Sequence, residues 1–359
     1  MLLAHLAPYI ERTAAANVAE LLSLADVDLA QAVAGQSAKR ITKVVEGMNL
    51  DAHRRKLEAA GCWSICTHYG GAWPEGLDEL PHIGAIYGIG DCSHLHDLLP
   101  SACVSVIGAR RASSYGREVG RQLGRELASA AMVVVSGLAF GVDACAHRGA
   151  LETGCTVAVM GCGPDVAYPA SHRSLHRRIC ENGLVLSELP PGTGAWRWTF
   201  PARSRIIAAL AGMTVVVEAE EGSGPLITAE LAAGLGRKLG AVPGPVNSRV
   251  SSGPNNLLTE GASLVRDGQD VLDRMLGPNG TVTGPRPLHG SGIDTDAMEH
   301  RCPDCCSAEA AQIDRGRHME CGNCGARFDL DSALVTVAEA ETHAAGPLRP
   351  VKLHPPRRG

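Results

Sequence analysis

Two constellations in this 359-residue chain have residue types and spacings that could do chemistry. The first is a cysteine cluster. Cys302-Pro303-Asp304-Cys305 is followed, fifteen residues on, by Cys321-Gly322-Asn323-Cys324-Gly325, a spacing in which two tight turns each present two thiolates to one tetrahedral ion. The expected cofactor is structural Zn2+ on Cys302, Cys305, Cys321 and Cys324. Cys306 could replace Cys305, and iron in a rubredoxin-like site is the alternative. The spacer, with Gln312, Asp314, Arg315, Arg317 and His318, is polar and offers almost no core, so the module is expected to fold only with metal. A closed site of this kind points to binding a partner or nucleic acid rather than to catalysis.

The second constellation is a set of glycine-bearing turns with arginines nearby. Gly108-Ala109-Arg110-Arg111-Ala112-Ser113-Ser114-Tyr115-Gly116 runs from a predicted strand into a predicted helix. Glycine lets backbone approach an anion, Ser113 or Ser114 can cap the helix, and Arg110 can fork onto phosphate at its positive end. Ser136-Gly137-Leu138-Ala139-Phe140-Gly141-Val142-Asp143, Gly161-Cys162-Gly163-Pro164-Asp165 and Glu218 to Thr228, with Gly222, Ser223 and Gly224, repeat the arrangement. Four such turns on one sheet edge would suit a phosphate chain. In Phe200-Pro201-Ala202-Arg203-Ser204-Arg205-Ile206-Ile207, two arginines share the start of a helix. They repel each other unless an anion, or a carboxylate such as Glu188 or Glu218, sits between them.

Catalysis finds less support. No HExxH occurs among the 14 histidines, and His147, His172 and His176 read as surface or packing residues. Asp143 and Glu218 could serve as acid and base in nucleotide cleavage, although Asp143 equally suits a helix's first turn. The chain has no GxSxG elbow, no GxGxxG and no GxxxxGK[ST], so neither an enzyme nor a nucleotide cofactor is expected.

The elements that must position these turns alternate through the middle of the chain. Strands are predicted at Cys103–Ile107, Met132–Ser136, Thr156–Met160, Leu184–Ser187, Met213–Glu218 and Leu239–Val242. Helices are predicted at Tyr115–Ala130, Ala139–Glu152, His172–Glu181, Pro201–Ala211 and Ile227–Gly236. Strands apolar on both faces imply a mostly parallel, doubly wound α/β sheet whose ligands sit at the carboxyl ends of its strands. Around this domain, 102–276, the sequence suggests a helical domain over 1–60 and an aperiodic connector over 61–101. After it come a Gly/Pro-rich linker over 277–300, the cysteine module over 301–335 and a tail over 336–359 that is expected to be disordered at its Pro/Arg-rich end.

Composition narrows the partners. Aromatics are 3% of residues against 42 glycines, which argues against an aromatic stacking platform as the main ligand surface. A net charge of −5 argues against binding nucleic acid by bulk charge. Residues 101–276 nevertheless carry 17 basic and 15 acidic side chains, and 16 of the basic ones are Arg, the better fork for phosphate. There is no apolar run of the ~18 residues a membrane span needs, and Met1 to Glu20 does not read as a signal peptide. A cytoplasmic location without membrane partners is expected.

The ordered series GAR (108–110) with Tyr115-Gly116, SGLAFGVDACAH (136–147), AVMGCGPDVAYP (158–169), LSELPPG (186–192), FPARSRIIAAL (200–210), VVEAEEGSGPLITAE (216–230), AVPGPV (241–246) and GPNNLLTEGA (253–262) resembles the DNA-processing protein A (DprA, also Smf) family. Trp73-Pro74 with Tyr87-Gly88 is similar to that family's approach segment. The resemblance implies an extended Rossmann-like domain that binds single-stranded DNA and dimerises. It further implies loading of a RecA-type recombinase, with relief of the block by single-strand-binding protein, in natural transformation and without catalysis. On this resemblance Arg110 is the phosphate-contacting arginine after the first strand, and Arg203 and Arg205 fall on an FPxRNR element in the same pocket. Ser136, Gly137, Ser223, Gly224 and Thr228 fall on its glycine and hydroxyl turns, and Phe200 joins the DNA-binding set as one of the few aromatics able to stack.

Three positions depart from the family pattern. Ser204 stands where Asn is usual, and Ala170 where some members have a DNA-binding Lys, with Arg173 nearby as a replacement. The chain ends in the cysteine module rather than a winged-helix-like domain. Residues 1–60 correspond to a SAM-like or helix-hairpin-helix-like region. The competing readings are a Rossmann-like enzyme or sensor acting on a small nucleotide, and a zinc-stabilised interaction protein.

Overall fold

The computed structural model describes residues 2–13, 18–66, 73–81, 83–91, 95 and 98–277, together with three short strands between 310 and 329. The chain divides into a unit of Met1–Ser291 and a second of Gly292–Gly359.

The first unit is a mixed α/β fold on a nine-stranded sheet. Its strands are β1 (Trp63–Cys66), β2 (Ala85–Gly90), β3 (Cys103–Ile107), β4 (Val133–Ser136), β5 (Thr156–Val159), β6 (Leu184–Ser187), β7 (Met213–Val216), β8 (Lys238–Ala241) and β9 (Ser263–Leu264), in the order β1-β2-β6-β5-β4-β3-β7-β8-β9. From β6 to β9 every pairing is parallel, whereas β2 joins β6, and β1 joins β2, antiparallel. All six predicted strands are present. The aperiodic connector contributes β1 and β2, which the Trp- and Gly-containing runs WSIC and AIYGIG did not announce by alternation.

Burial on both faces explains the Val-rich strands. Val104, Val106, Val134 and Val215 face α6 (Ser114–Ser129), α7 (Val142–Thr153) and α12 (Gly268–Leu276). Alternate residues, Cys103, Ile107, Val135, Val157 and Leu186, face α9 (Thr199–Leu210) and α10 (Gly224–Gly234). α8 (Arg173–Asn182) packs Leu175 and Ile179 on Ala158 and Val185. The polar residues at the sheet centre are satisfied, since the Ser105 and Thr214 hydroxyls are 2.7 Å apart. Close approach of α6 and α7 depends on glycine, because a Cβ on Gly124 or Gly149 would collide with the backbone of the opposite helix.

At the N-terminus, α1 (Leu2–Thr13), α2 (Val18–Leu21), α3 (Asp26–Ala34) and α4 (Ala38–Glu46) enclose Leu6, Ile10, Leu29 and Ile41. Trp198, Leu189 and Ala202 complete the same cluster. α5 (Leu50–Ala59) is capped by Asn49, whose side chain accepts the Ala52 N–H at 2.9 Å. α11 (Ser252–Thr259) precedes β9.

The second unit contains an antiparallel sheet of β10 (Ala310–Asp314), β11 (His318–Cys321) and β12 (Arg327–Asp329). Cys321 ends β11, while Cys302, Cys305, Cys306 and Cys324 lie outside the described residues, as do 278–300 and the tail.

Candidate functional site

Strand order reverses at β3, with β4 to its one side and β7 to its other. At such a switch point the connections leave in opposite directions and open a crevice at the strands' carboxyl ends. A cavity of about 780 Å³ occupies that crevice, lined by Gly108 to Arg111 after β3, Glu220 to Thr228 after β7, and the start of α9.

Arg203 forms its base. Though only 8% exposed, it lines the cavity, and one terminal nitrogen donates to the Val159 carbonyl at 3.3 Å. Beside it, the buried Asp143 carboxylate accepts N–H groups from Gly137 (3.2 Å), Ala139 (3.3 Å) and Gly108 (3.4 Å). Burial pushes the Asp143 carboxyl above the usual carboxylate range, opposed by the Arg203 charge and those three amides. Burial also lowers Arg203, which stays charged because a guanidinium is not deprotonated in proteins. Gly137 makes room for it, since a Cβ there would lie 2.6 Å from Nη2 of Arg203.

A cationic and aromatic cluster stands above this base. The guanidinium carbons of Arg110 and Arg203 lie 5.2 and 5.4 Å from the Phe200 ring centre, within cation–π range. The Tyr168 ring is 5.3 Å from Phe200 and 42% exposed. Arg111 and Arg197 also line the cavity. Opposing carboxylates are already engaged: Glu220 with Arg249 at 3.4 Å, Glu221 with the Asn256 amide at 3.0 Å, and Asp143 as described. Among the described residues, no carboxylate pairs with the guanidinium of Arg110, Arg111 or Arg197.

The structure brings Arg110, Phe200, Arg203, Ser223, Gly224 and Thr228 together as expected. The Ser223 hydroxyl donates to the Glu220 carbonyl at 2.5 Å and does not cap α10. Other predicted residues fall elsewhere. Ser136 is buried and donates to the Val106 carbonyl at 2.7 Å. Gly137 backs Arg203 from behind, and Arg173, exposed at the start of α8, is not part of the lining.

Arg205 does not share the cavity either. It is buried and paired with Glu188 at 2.5 and 2.6 Å, with Nε and Nη1 unpartnered among the described residues. Residues two apart on a helix point about 200° away from each other, so α9 cannot direct Arg203 and Arg205 at one anion. Conversely, Arg111, Tyr168 and Arg197 join the site beyond the residues expected from sequence. Adjacency to Arg110 is the available signal for Arg111.

The remaining titratable candidates are structural. Glu218 accepts the Ser113 N–H at 2.9 Å and the Ser113 hydroxyl at 2.5 Å, fixing the β3 turn rather than lining the cavity. His147 bonds Thr156 at 2.7 Å, His172 the Leu138 carbonyl at 3.1 Å and His176 the Pro164 carbonyl at 2.8 Å. Burial lowers all three, His147 to about 3 and His172 to about 4. Among the described residues no helix is long and apolar enough to cross a membrane.

Comparison with known proteins follows the same architecture. Residues 64–276 match the model of the family described as DNA recombination-mediator protein A. The chain is 44% identical over 177 residues to DNA processing protein DprA of Streptococcus pneumoniae, covering 49% of this chain and 62% of that protein. It is 36% identical over 204 residues to Protein Smf of Escherichia coli, covering 56% and 54%. It thus spans little more than half the length of these curated relatives. Among solved structures, the X-ray structure of DNA processing protein A from S. pneumoniae gives a TM-score of 0.60 at 34% identity, covering 74% of this chain and 95% of that one. The structure of the Helicobacter pylori protein, described for its single-stranded DNA binding mode, gives 0.53 at 30% identity, covering 60% and 95%. On the strength of the matching family model, which spans more than half its length, this chain belongs to the DNA recombination-mediator protein A family.

Proposed function

We propose that this protein binds single-stranded DNA through the cavity at the β3/β7 switch point and acts as a recombination mediator without catalysis. The observation that carries the reading is the set of Arg110, Arg111 and Arg197, whose guanidinium groups pair with no carboxylate among the described residues, around a buried Arg203. Phosphates entering there meet Arg110 against Phe200 and Arg203 between Phe200 and Asp143, so these two side chains need little further ordering on binding. Phosphate contacts carry no base code, so recognition is sequence-independent and salt-sensitive. Tyr168 and Phe200 offer a stacking surface for about one base, worth roughly 1–3 kcal/mol. Single strands are favoured because a stacked duplex keeps its bases from these rings.

The wider role follows the family: a homodimer that loads a RecA-type recombinase onto incoming single strands in the cytoplasm during natural transformation, with single-strand-binding protein as an indirect partner. We further propose structural Zn2+ on Cys302, Cys305, Cys321 and Cys324. Its support is the cysteine spacing and the position of Cys321 at the end of β11 in a small antiparallel sheet.

The test is anisotropy of labelled oligothymidine titrated with metal-replete full-length protein at two salt concentrations, with duplex DNA as competitor. Salt-dependent binding that duplex does not compete is expected, and absence of binding at low salt overturns the reading. Elemental analysis should give one zinc per chain, lost in C321S/C324S; a metal-free or iron-bearing protein overturns the zinc assignment.

A further inference from the structure

The N-terminal helix reaches the rim of the cavity through one carboxylate. Oε2 of Glu11 on α1 accepts the backbone N–H groups of Arg197 at 3.0 Å and Trp198 at 3.4 Å. The Trp198 indole N–H donates to the Ala7 carbonyl at 3.2 Å, and its ring is buried among Leu6, Ala7 and Ile10. These amides immediately precede α9. Glu11, 186 residues upstream of Arg197, therefore ties down from a distance the backbone that leads into the helix. The tethered segment carries the exposed Arg197 at the cavity rim, three residues before Phe200.

A carboxylate near a phosphate site has two effects of opposite sign. Its charge disfavours an incoming anion, whereas its hydrogen bonds fix the backbone from which Arg197 projects. Hydrogen bonds to a charged acceptor are the stronger kind, and two of them to successive amides leave that stretch of backbone little freedom. Resting on the reading of the cavity as a phosphate site, we propose that Glu11 is a positioning residue for DNA binding. By holding the Arg197–Trp198 backbone it keeps the Arg197 guanidinium at the rim, so that α1 sets how many phosphates the cavity neutralises.

Glu11→Gln keeps an acceptor oxygen and removes the charge, whereas Glu11→Ala removes both. Full-length E11A, E11Q, R197A and E11A/R197A are titrated with labelled oligothymidine over a range of salt. E11A and R197A should each weaken binding several-fold and flatten the slope of log K against log salt by about 0.7, the share of one single-strand phosphate. E11A should add nothing in the R197A background, and E11Q should bind as tightly as the parent or more so. Tightening by E11A and E11Q alike, additivity of E11A with R197A, or an unchanged slope in R197A overturns the proposal.

R110A/R111A separates this from failure of the DNA reading itself, because that pair should lower the slope whatever Glu11 does. Hydrogen exchange without DNA gives a second readout: the Arg197 and Trp198 amides should exchange faster in E11A and near the parent rate in E11Q. Unchanged protection also overturns the proposal. Should E11A not fold, Glu11→Asp, with its charge kept and its reach shortened, carries the same expectations.

Discussion

Two arginines on α9, Arg203 and Arg205, are 8% and 4% exposed and stand two residues apart, yet they serve opposite sides of the helix. Arg205 is consumed by Glu188, in an ion pair whose side chains are 5% and 11% exposed. Arg203 borders the cavity while its carboxylate neighbour, Asp143, is held mainly by backbone amides. Burial and charge alone therefore do not mark a ligand site. The difference is whether the counter-ion takes up the guanidinium or merely fixes it.

The largest expected effect breaks the structural side of this comparison. Arg205→Ala leaves a largely enclosed, unpaired Glu188 and should cost about 3–5 kcal/mol of stability, read from urea denaturation. DNA affinity per folded molecule should stay at the parent level. A marked fall in that affinity would place Arg205 in the interface after all.

Arg203→Ala should be milder and pH-dependent, because Asp143 retains its three amides. Removing the arginine takes away the influence that lowers the Asp143 pKa, so a carboxyl already raised by burial rises further. A carboxyl with a raised folded pKa stabilises the fold below its unfolded value and loses that contribution as pH rises through the folded one. The stability deficit of R203A relative to the parent should therefore be greatest where Asp143 is ionised in both proteins and narrow as falling pH protonates it. Denaturation curves at several pH values check this, and a constant deficit would remove Asp143 from the account. Gly137→Ala sharpens the comparison on the cavity side alone. The new Cβ crowds the Arg203 guanidinium, and the expected cost is about 1–3 kcal/mol with a several-fold loss of affinity.

Much of this was legible in the sequence, for reasons that differ from element to element. The parallel strands announced themselves because Val-, Ile- and Leu-rich runs such as CVSVI and VVVS are buried on both faces. The cavity followed from the glycine turns that end β3 and β7, since parallel strands bring their carboxyl ends to one edge. β1 and β2 are not legible in the sequence because short antiparallel strands beside Trp and Gly carry no sustained alternation. Proximity in sequence suggests that Arg205 shares a site with Arg203, whereas helical geometry sends them apart. Arg197 could not be read locally, because its place depends on Glu11 and on Trp198 filling a core made by α1. The cysteine spacing is read from sequence alone, since of its four cysteines only Cys321 falls among the described residues, at the end of β11.

The central claim is that Arg110, Arg111 and Arg197 neutralise phosphates in the cavity. The most direct test is the slope of log K against log salt for oligothymidine, compared between the parent protein and R110A/R111A/R197A. Three single-strand phosphate contacts predict a slope lower by about 2 in the triple variant, at about 0.7 each, with stability within about 0.5 kcal/mol of the parent. An unchanged slope in a folded triple variant would contradict the account.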